Sequence, residues 1–367
     1  MDNDLQPGTD AQNLTSKSNK CKGCGANLFF DTKKLCLHCE HCGSDYQVNI
    51  INYKEKKDFD PSSLKREEIE KKVVVARCQS CGANVTIDTS NMSNICPYCS
   101  SPKINFVKSQ EYQPDAIVPF SITKDEVAAI FKKWAKKRKF VPNAFKNVDS
   151  LENFKPYYVP SWIFDAKTRT EYDAELGYNE TRYYTDRNGN RQTKTVTVYR
   201  HAHGVRGDTF NDLTVFSGNK MPGVSFNKIA PFNLDRIKVF TDDFLAGYDA
   251  TQYTQDIKMG FDRANSEIES EIKHNIVRAH HADTYRYINL NKEYLVSKYA
   301  YTFLPVWIAQ YRYNNKDYDV YINGTTGKTT GRVPRSPIKI ALFVIFIVAI
   351  VCVLAYFMHK GSARFID

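Results

Sequence analysis

Recognisable catalytic signatures are missing from this 367-residue chain, and that absence is the first constraint on its function. It contains no GxSxG nucleophile turn and no HExxH metal helix. Gly324-x-x-Gly327-Lys328-Thr329 imitates a phosphate loop, but a P-loop needs four residues between its glycines, and Ile322 stands where the first is required. A strand and turn over Tyr321–Thr330 explain these glycines. His201 and His203 alternate as on a strand but have no third ligand nearby, and His280-His281 reads as the end of a helix. An enzyme is therefore not expected. The first ten residues, MDNDLQPGTD, lack the basic-then-apolar pattern of a secretory leader. No charge sign dominates: 51 Lys and Arg stand against 41 Asp and Glu, for a net charge of +10. With 42% apolar and 25% charged residues and a mean hydropathy of −0.49, the chain is neither disordered, collagen-like nor a multi-span membrane protein.

Cysteine is nearly absent beyond residue 100, where only Cys352 occurs. Of the other nine, eight fall in two sets, Cys21-x2-Cys24-x14-Cys39-x2-Cys42 and Cys78-x2-Cys81-x14-Cys96-x2-Cys99, and the ninth is Cys36. The surrounding text repeats as well: CGANLFFDT at Cys24–Thr32 returns as CGANVTIDT at Cys81–Thr89, 57 residues on. This is an internal duplication. Two residues between thiolates let one turn present both sulfurs to one ion, and Gly25 and Gly82 permit the backbone such a turn needs. Two such pairs give four-sulfur tetrahedral coordination, which suits zinc, with rubredoxin-type iron as the other metal that fits. A reduced compartment argues against disulfides, and redox CxxC pairs occur singly on a βαβ unit. The duplication also eliminates surplus ligands: Cys36, His38 and His41 align with Ser93, Ile95 and Tyr98. The expectation is two zinc ions in closed, structural sites made of Cys21, Cys24, Cys39 and Cys42, and of Cys78, Cys81, Cys96 and Cys99.

Only one long apolar run exists, IALFVIFIVAIVCVLAYFM from Ile340 to Met358. Without charge, proline or glycine, and at 1.5 Å per residue, it spans roughly 28 Å, matching a bilayer core of roughly 30 Å. Arg332, Arg335 and Lys339 precede it, while Lys360 and Arg364 follow. The basic flank leans toward a single-pass cell-membrane protein with a cytoplasmic body and an outward C-terminus.

Between these ends the pattern is mixed. Asp60-Pro61 opens a short charged helix to about Lys72, read as a spacer. Thr123-x-x-Glu126 is a capping box opening a helix to about Lys139, with Val127, Ile130, Phe131 and Trp134 on one face. Its end carries Lys132, Lys133, Lys136, Lys137, Arg138 and Lys139, which either complement the helix dipole or face anionic lipid, with nucleic acid a third reading. Strand-like text runs from Tyr157, with a hairpin turn at Asn188-Gly189, and again over about Asp283–Thr330. Phe303-Leu304-Pro305-Val306-Trp307-Ile308 echoes Tyr158-Val159-Pro160-Ser161-Trp162-Ile163, a sign of a second, fainter repeat. A helix over roughly Gln252–His280 shows one apolar stripe through Ile257, Phe261, Ala264, Ile268, Ile272 and Ile276.

The expected fold is α+β: two tandem zinc ribbons, a β-rich body with two amphipathic helices, and one C-terminal transmembrane helix. The expected divisions are a tail 1–20, ribbons at 21–53 and 73–108, a charged linker 54–72, a body 115–335, a membrane helix 338–358 and a tail 359–367.

Together, the paired C-x-x-C-G-A-N ribbons, Val118-Pro119-Phe120…Trp134, Val159-Pro160-Ser161-Trp162, and Leu304-Pro305-Val306-Trp307…Gly324-Thr325-Thr326-Gly327-Lys328 resemble the bacterial TFIIB-type zinc-ribbon membrane proteins. The resemblance implies that the eight paired cysteines are ligands. It implies a protein partner in an envelope-stress complex containing a phage-shock-protein-A homologue and an SPFH-domain protein. The helicase or replication label often attached to such proteins lacks motif support here.

The favoured expectation is thus a membrane-anchored adaptor or scaffold whose partners are the bilayer and other proteins, with no small-molecule substrate. The alternative is a membrane-tethered nucleic-acid binder. Residues 1–114 hold 15 basic against 14 acidic side chains, which is weak support for phosphate binding, whereas residues 115–337 hold 33 against 26.

Overall fold

The computed structural model describes residues 20–65, 73–77, 84–88, 113–146, 154–185, 187, 189–313 and 316–362. The architecture is mixed α+β and β-rich. Near the N-terminus, β1 (Phe29–Asp31), β2 (Cys36–His38) and β3 (Asp45–Gln47) form a three-stranded antiparallel sheet. β4 (Lys57–Asp58) follows, and then a separate hairpin of β5 (Val73–Arg77) and β6 (Asn84–Asp88). The pairing Arg77↔Asn84 in that hairpin lies 57 residues beyond the bridge Lys20↔Asn27, so the backbone repeats where the sequence does.

The body is built around two very long strands, β8 (Phe154–Thr185) and β12 (Thr284–Tyr313). They pair antiparallel from Phe154↔Ala309 to Thr284↔Gly177. β7 (Ala116–Ile117) and α1 (Lys124–Lys136) precede β8, with α2 (Asn143–Lys146) between. After β8 come β9 (Arg191–Phe216), α3 (Gly223–Ile229), β10 (Lys238–Val239), β11 (Asp249–Ala250) and α4 (Ile257–Ala279). β13 (Lys316–Asn323), β14 (Thr329–Gly331) and α5 (Pro337–Ser362) complete the chain order.

The two echoing segments meet each other in this sheet. Leu304 pairs with Val159, Phe303 with Pro160 and Pro305 with Tyr158, which places a pseudo-two-fold axis between Val159 and Leu304. The relation extends outward. β11 lies parallel to β8 at Tyr157 and Tyr158, just as β7 lies parallel to β12 at Thr302 and Phe303. β9 returns along β8 from Ser161, as β13 returns along β12 from Val306. Ser217 N–H donates to Pro160 O at 3.0 Å, and Gly324 N–H to Pro305 O at 2.8 Å. The carbonyl of Ser217 then accepts from Thr254 and Gln255, and that of Gly324 from Ser121 and Ile122. The body is thus two strand–helix–strand–strand units related by internal symmetry.

Helix α4 forms because its apolar residues recur at steps of three and four, and Asp256 caps its start by accepting from Met259 N–H at 2.7 Å. Ile268, Ile272 and Ile276 are fully buried against Ala166, Ala174, Leu176, Phe210 and Ile288 of the long strands. Each such side chain contributes about 1.5–3 kcal/mol by leaving water. The main core gathers aromatic rings: Phe120 stands 5.1–5.2 Å from Tyr158, Tyr248 and Trp307.

The segment just before residue 60 meets the body. β4 pairs with β12 at Lys298 and Tyr299. The ring of Phe59 packs 5.2–5.9 Å from Phe164, Phe261 and Tyr299. In place of a helix from Asp60, one 3-10 turn spans Pro61–Ser63, capped by Asp60, and Leu64 is already extended. A single apolar ring able to enter the body's core outweighs the helix signal of its charged neighbours. Residues 66–72 lie outside the described residues, as do the tail at 1–19 and residues 363–367.

α5 is long and apolar enough to cross a membrane, and no residue of Pro337–Ala355 is buried in the protein. Leu342, Ile345 and Phe346 are each 60–64% exposed. Cys352 is exposed on the same helix.

Candidate metal centre

Each cysteine pair at the N-terminus sits on a tight turn. Gly25 N–H donates to Cys21 O at 2.9 Å, and Gly43 N–H donates to Cys39 O at 2.8 Å. Both glycines have φ +75°, a left-handed conformation that costs glycine little. The turns bring the sulfurs of Cys21, Cys24, Cys39 and Cys42 within 4.8 Å of one another. Cys21 Sγ lies 3.4 Å from Cys42 Sγ, and Cys24 Sγ lies 3.5 Å from Cys39 Sγ. Sulfurs about 2.3 Å from a tetrahedral zinc stand about 3.8 Å apart, so the donor set fits one such ion. Cys21 and Cys39 are buried, while Cys24 and Cys42 are exposed.

Hydroxyl groups prepare two of the thiols. The hydrogen bond with Tyr46 Oη, at 3.2 Å, draws the pKa of Cys21 down to about 5. Ser44 Oγ, at 3.2 Å, lowers that of Cys42. Metal-bound sulfur is thiolate, so groups that favour the anion favour ligation. Lys22 N–H donates to Tyr46 Oη at 3.0 Å, fixing the phenol in place. Gly43, Tyr46 and Ser44 escaped the sequence reading, although Gly43 follows Cys42 as Gly25 follows Cys24.

The surplus candidates stand apart from this cluster. Cys36 is buried on β2 and burial raises its pKa, which keeps it a thiol. His38 Nδ1 lies 2.5 Å from Asp45 Oδ1, and His41 is exposed. The second set, Cys78, Cys81, Cys96 and Cys99, lies outside the described residues. His201 Nδ1 is 3.3 Å from Tyr287 Oη, and among the described residues it joins no metal-binding group. His280 ends α4 with its Nε2 2.8 Å from Tyr172 Oη.

The three-stranded sheet that carries the four cysteines packs against the body. Phe30 is 2% exposed with its ring 4.6 Å from Phe244. Its N–H donates to Ala246 O at 2.9 Å and its carbonyl accepts from Tyr248 Oη at 3.2 Å. Arg236 Nη2 donates to Thr32 O at 2.8 Å. Gly247 has φ +85° and faces Phe29 so closely that a Cβ would come within 2.4 Å of the ring. Cys21, Leu28, Leu37 and Cys39 belong to the same core cluster as Phe120 and Trp307. The outer side of the two cysteine turns is free, with Lys22, Gly23, Glu40 and His41 exposed.

At the end of α1, Lys132, Lys133, Lys136, Lys137, Arg138 and Lys139 are all exposed. The Arg138 guanidinium lies 4.7 Å over the Trp134 ring.

No family model and no solved structure matches the chain. The chain is 27% identical over 338 residues to the uncharacterized protein YdjG of Bacillus subtilis (strain 168), an alignment that covers 88% of this chain and 92% of that protein.

Proposed function

We propose that this protein is a membrane-anchored adaptor: α5 holds it in the bilayer, and the body presents a zinc-stiffened ribbon to a protein partner. The observation that carries this reading is the four-cysteine cluster itself. Four protein sulfurs complete a tetrahedral shell and leave no position for water or substrate, the arrangement of a structural ion. One face of the ribbon is committed to the body, so the exposed turns at Lys22–Gly23 and Glu40–His41 form the presented surface. A second ion on Cys78, Cys81, Cys96 and Cys99 completes the tandem arrangement, supported by the repeated backbone pairing in β5 and β6. The partner class that the family resemblance implies is an envelope-stress assembly containing a phage-shock-protein-A homologue and an SPFH-domain protein. The body lies on the cytoplasmic side in this reading.

The test is affinity capture of the tagged full-length chain from detergent-solubilised membranes, with Glu40→Arg as the comparison. Partners retained by the parent and lost from the variant support the reading. A partner set that is empty, or is identical in both, overturns the presented surface.

A further inference from the structure

The cationic end of α1 is joined to the membrane helix by contacts that appear only in the folded chain. Phe140 has φ +59°, which turns the chain back so that its ring lies 5.1 Å from Phe343, inside the apolar run of α5. Ser336 N–H donates to Phe140 O at 2.7 Å. Lys339 Nζ donates to Val141 O at 2.8 Å and to Asn143 Oδ1 at 2.7 Å. The corner at residues 140–143 is therefore pinned to the first two turns of α5.

Charge follows from that placement. Six exposed cations occupy residues 132–139, and no acidic residue occurs between Val127 and Lys146. No ion pair involves Lys133, Lys136, Lys137, Arg138 or Lys139 among the described residues. Residues 132–136 are the last five of α1 and span about 7.5 Å, and residues 137–139 are the turn that leads to Phe140. The potential of an anionic lipid surface decays over a Debye length of about 8–10 Å. A cluster that begins where Phe140 touches the membrane helix thus lies within that field. Complementing a helix dipole needs one or two cations in the last turn, not six that run on past the helix end at Lys136.

We infer that residues 132–139 are a lipid-binding foot that engages anionic phospholipid headgroups and fixes how the body sits on the bilayer. The inference rests on the reading of α5 as a membrane span. The foot and the ribbon would then act together: the foot sets the body's tilt, and the tilt sets where the ribbon's free turns point.

The test uses the full-length chain in nanodiscs of phosphatidylcholine alone and of phosphatidylcholine with phosphatidylglycerol at 7:3. Lysine acetylation by an N-hydroxysuccinimide ester is followed residue by residue by mass spectrometry. Lys194, exposed on β9 near the hairpin tip, is the reference: β8 leads away from Phe154, which packs against α1, toward that tip. Lys133, Lys136, Lys137 and Lys139 are expected to react about threefold or more slowly in the anionic discs, with Lys194 unchanged and the difference erased by high salt. Equal rates in both discs overturn the foot while leaving the span intact. Stronger protection by a 20-base-pair DNA duplex than by phosphatidylglycerol reassigns the cluster to nucleic acid and also overturns it. A chain that enters neither disc removes the span reading, and the foot with it.

Discussion

Trp162 and Trp307 make the same hydrogen bond at symmetry-related places: Trp162 Nε1–H donates to Gln255 O at 2.9 Å and Trp307 Nε1–H to Ile122 O at 3.1 Å. Each accepting carbonyl stands one residue before a helix N-cap, Asp256 for α4 and Thr123 for α1. Each indole also packs 5.2 Å from an aromatic ring of the segment leading into that helix, Tyr253 or Phe120. The tryptophans therefore set where both helices begin relative to the central strands.

Equivalent positions should carry equivalent energies. Trp162→Phe and Trp307→Phe each remove one N–H donor and leave a carbonyl without it, at a cost of about 1–3 kcal/mol. Chemical unfolding of the full-length chain in detergent should show similar losses for both. A loss confined to one variant would mean that only one unit depends on its indole.

The ribbon's attachment makes a second expectation. Ala at position 247 must take a left-handed backbone conformation and place its Cβ against Phe29. The expected destabilisation of Gly247→Ala is about 1–3 kcal/mol. Gly223→Ala is the control, since a Cβ there meets nothing within 4 Å and φ is not positive. Limited proteolysis should release the ribbon sooner from Gly247→Ala than from Gly223→Ala. Indistinguishable digestion patterns would mean that the ribbon does not rely on this contact.

How much of this was legible beforehand depended on distance along the chain. The stripe alone predicts a helix over roughly Gln252–His280, and α4 runs Ile257–Ala279, because that stripe is a local signal. Helix α1 stops at Lys136, short of the expected Lys139, where crowded cations give way to the turn at Phe140. β8 and β9 are paired up to Thr185 and Arg191, as the hairpin reading expects, while Asn188 lies outside the described residues. The echo between Tyr158–Ile163 and Phe303–Ile308 was visible as text, but nothing local told that the two copies would lie against each other. The four ribbon cysteines were legible from spacing. The docking of Phe30 on Phe244 was not, because a lone buried ring in a short strand has no period to betray which distant surface it will meet.

Metal content separates ligands from bystanders. Cys39→Ser removes one of four sulfurs and should lower zinc in the purified full-length chain by about one ion, since a structural site of three thiolates is no longer closed. Cys36→Ser should leave zinc unchanged, because that thiol lies outside the cluster. The parent should hold about two ions if the second cysteine set is also a site. Elemental analysis of the three proteins decides each point. Loss of metal from Cys36→Ser would return that residue to the ligand shell, and a parent with one ion would confine binding to a single ribbon.

The start of α1 should carry an acid-sensitive contribution. Glu126 accepts from Thr123 N–H at 2.7 Å and from Thr123 Oγ1 at 2.9 Å, and these bonds hold its pKa below the ordinary 4.5. A carboxyl depressed by folding stabilises the native state fully above its unfolded pKa. That contribution is lost as pH falls through the folded value. Glu126→Gln keeps an acceptor but removes the charge, so it should be less stable than the parent at neutral pH. The gap should narrow progressively below about pH 4.5 as the parent's carboxylate is protonated. Hydrogen exchange of residues 124–131 across this range is the suitable readout, because it isolates the first turns of α1 from acid effects elsewhere. Parallel exchange profiles for parent and variant would show that the charge on Glu126 adds nothing to the cap and that the hydrogen-bond acceptor alone holds the helix start.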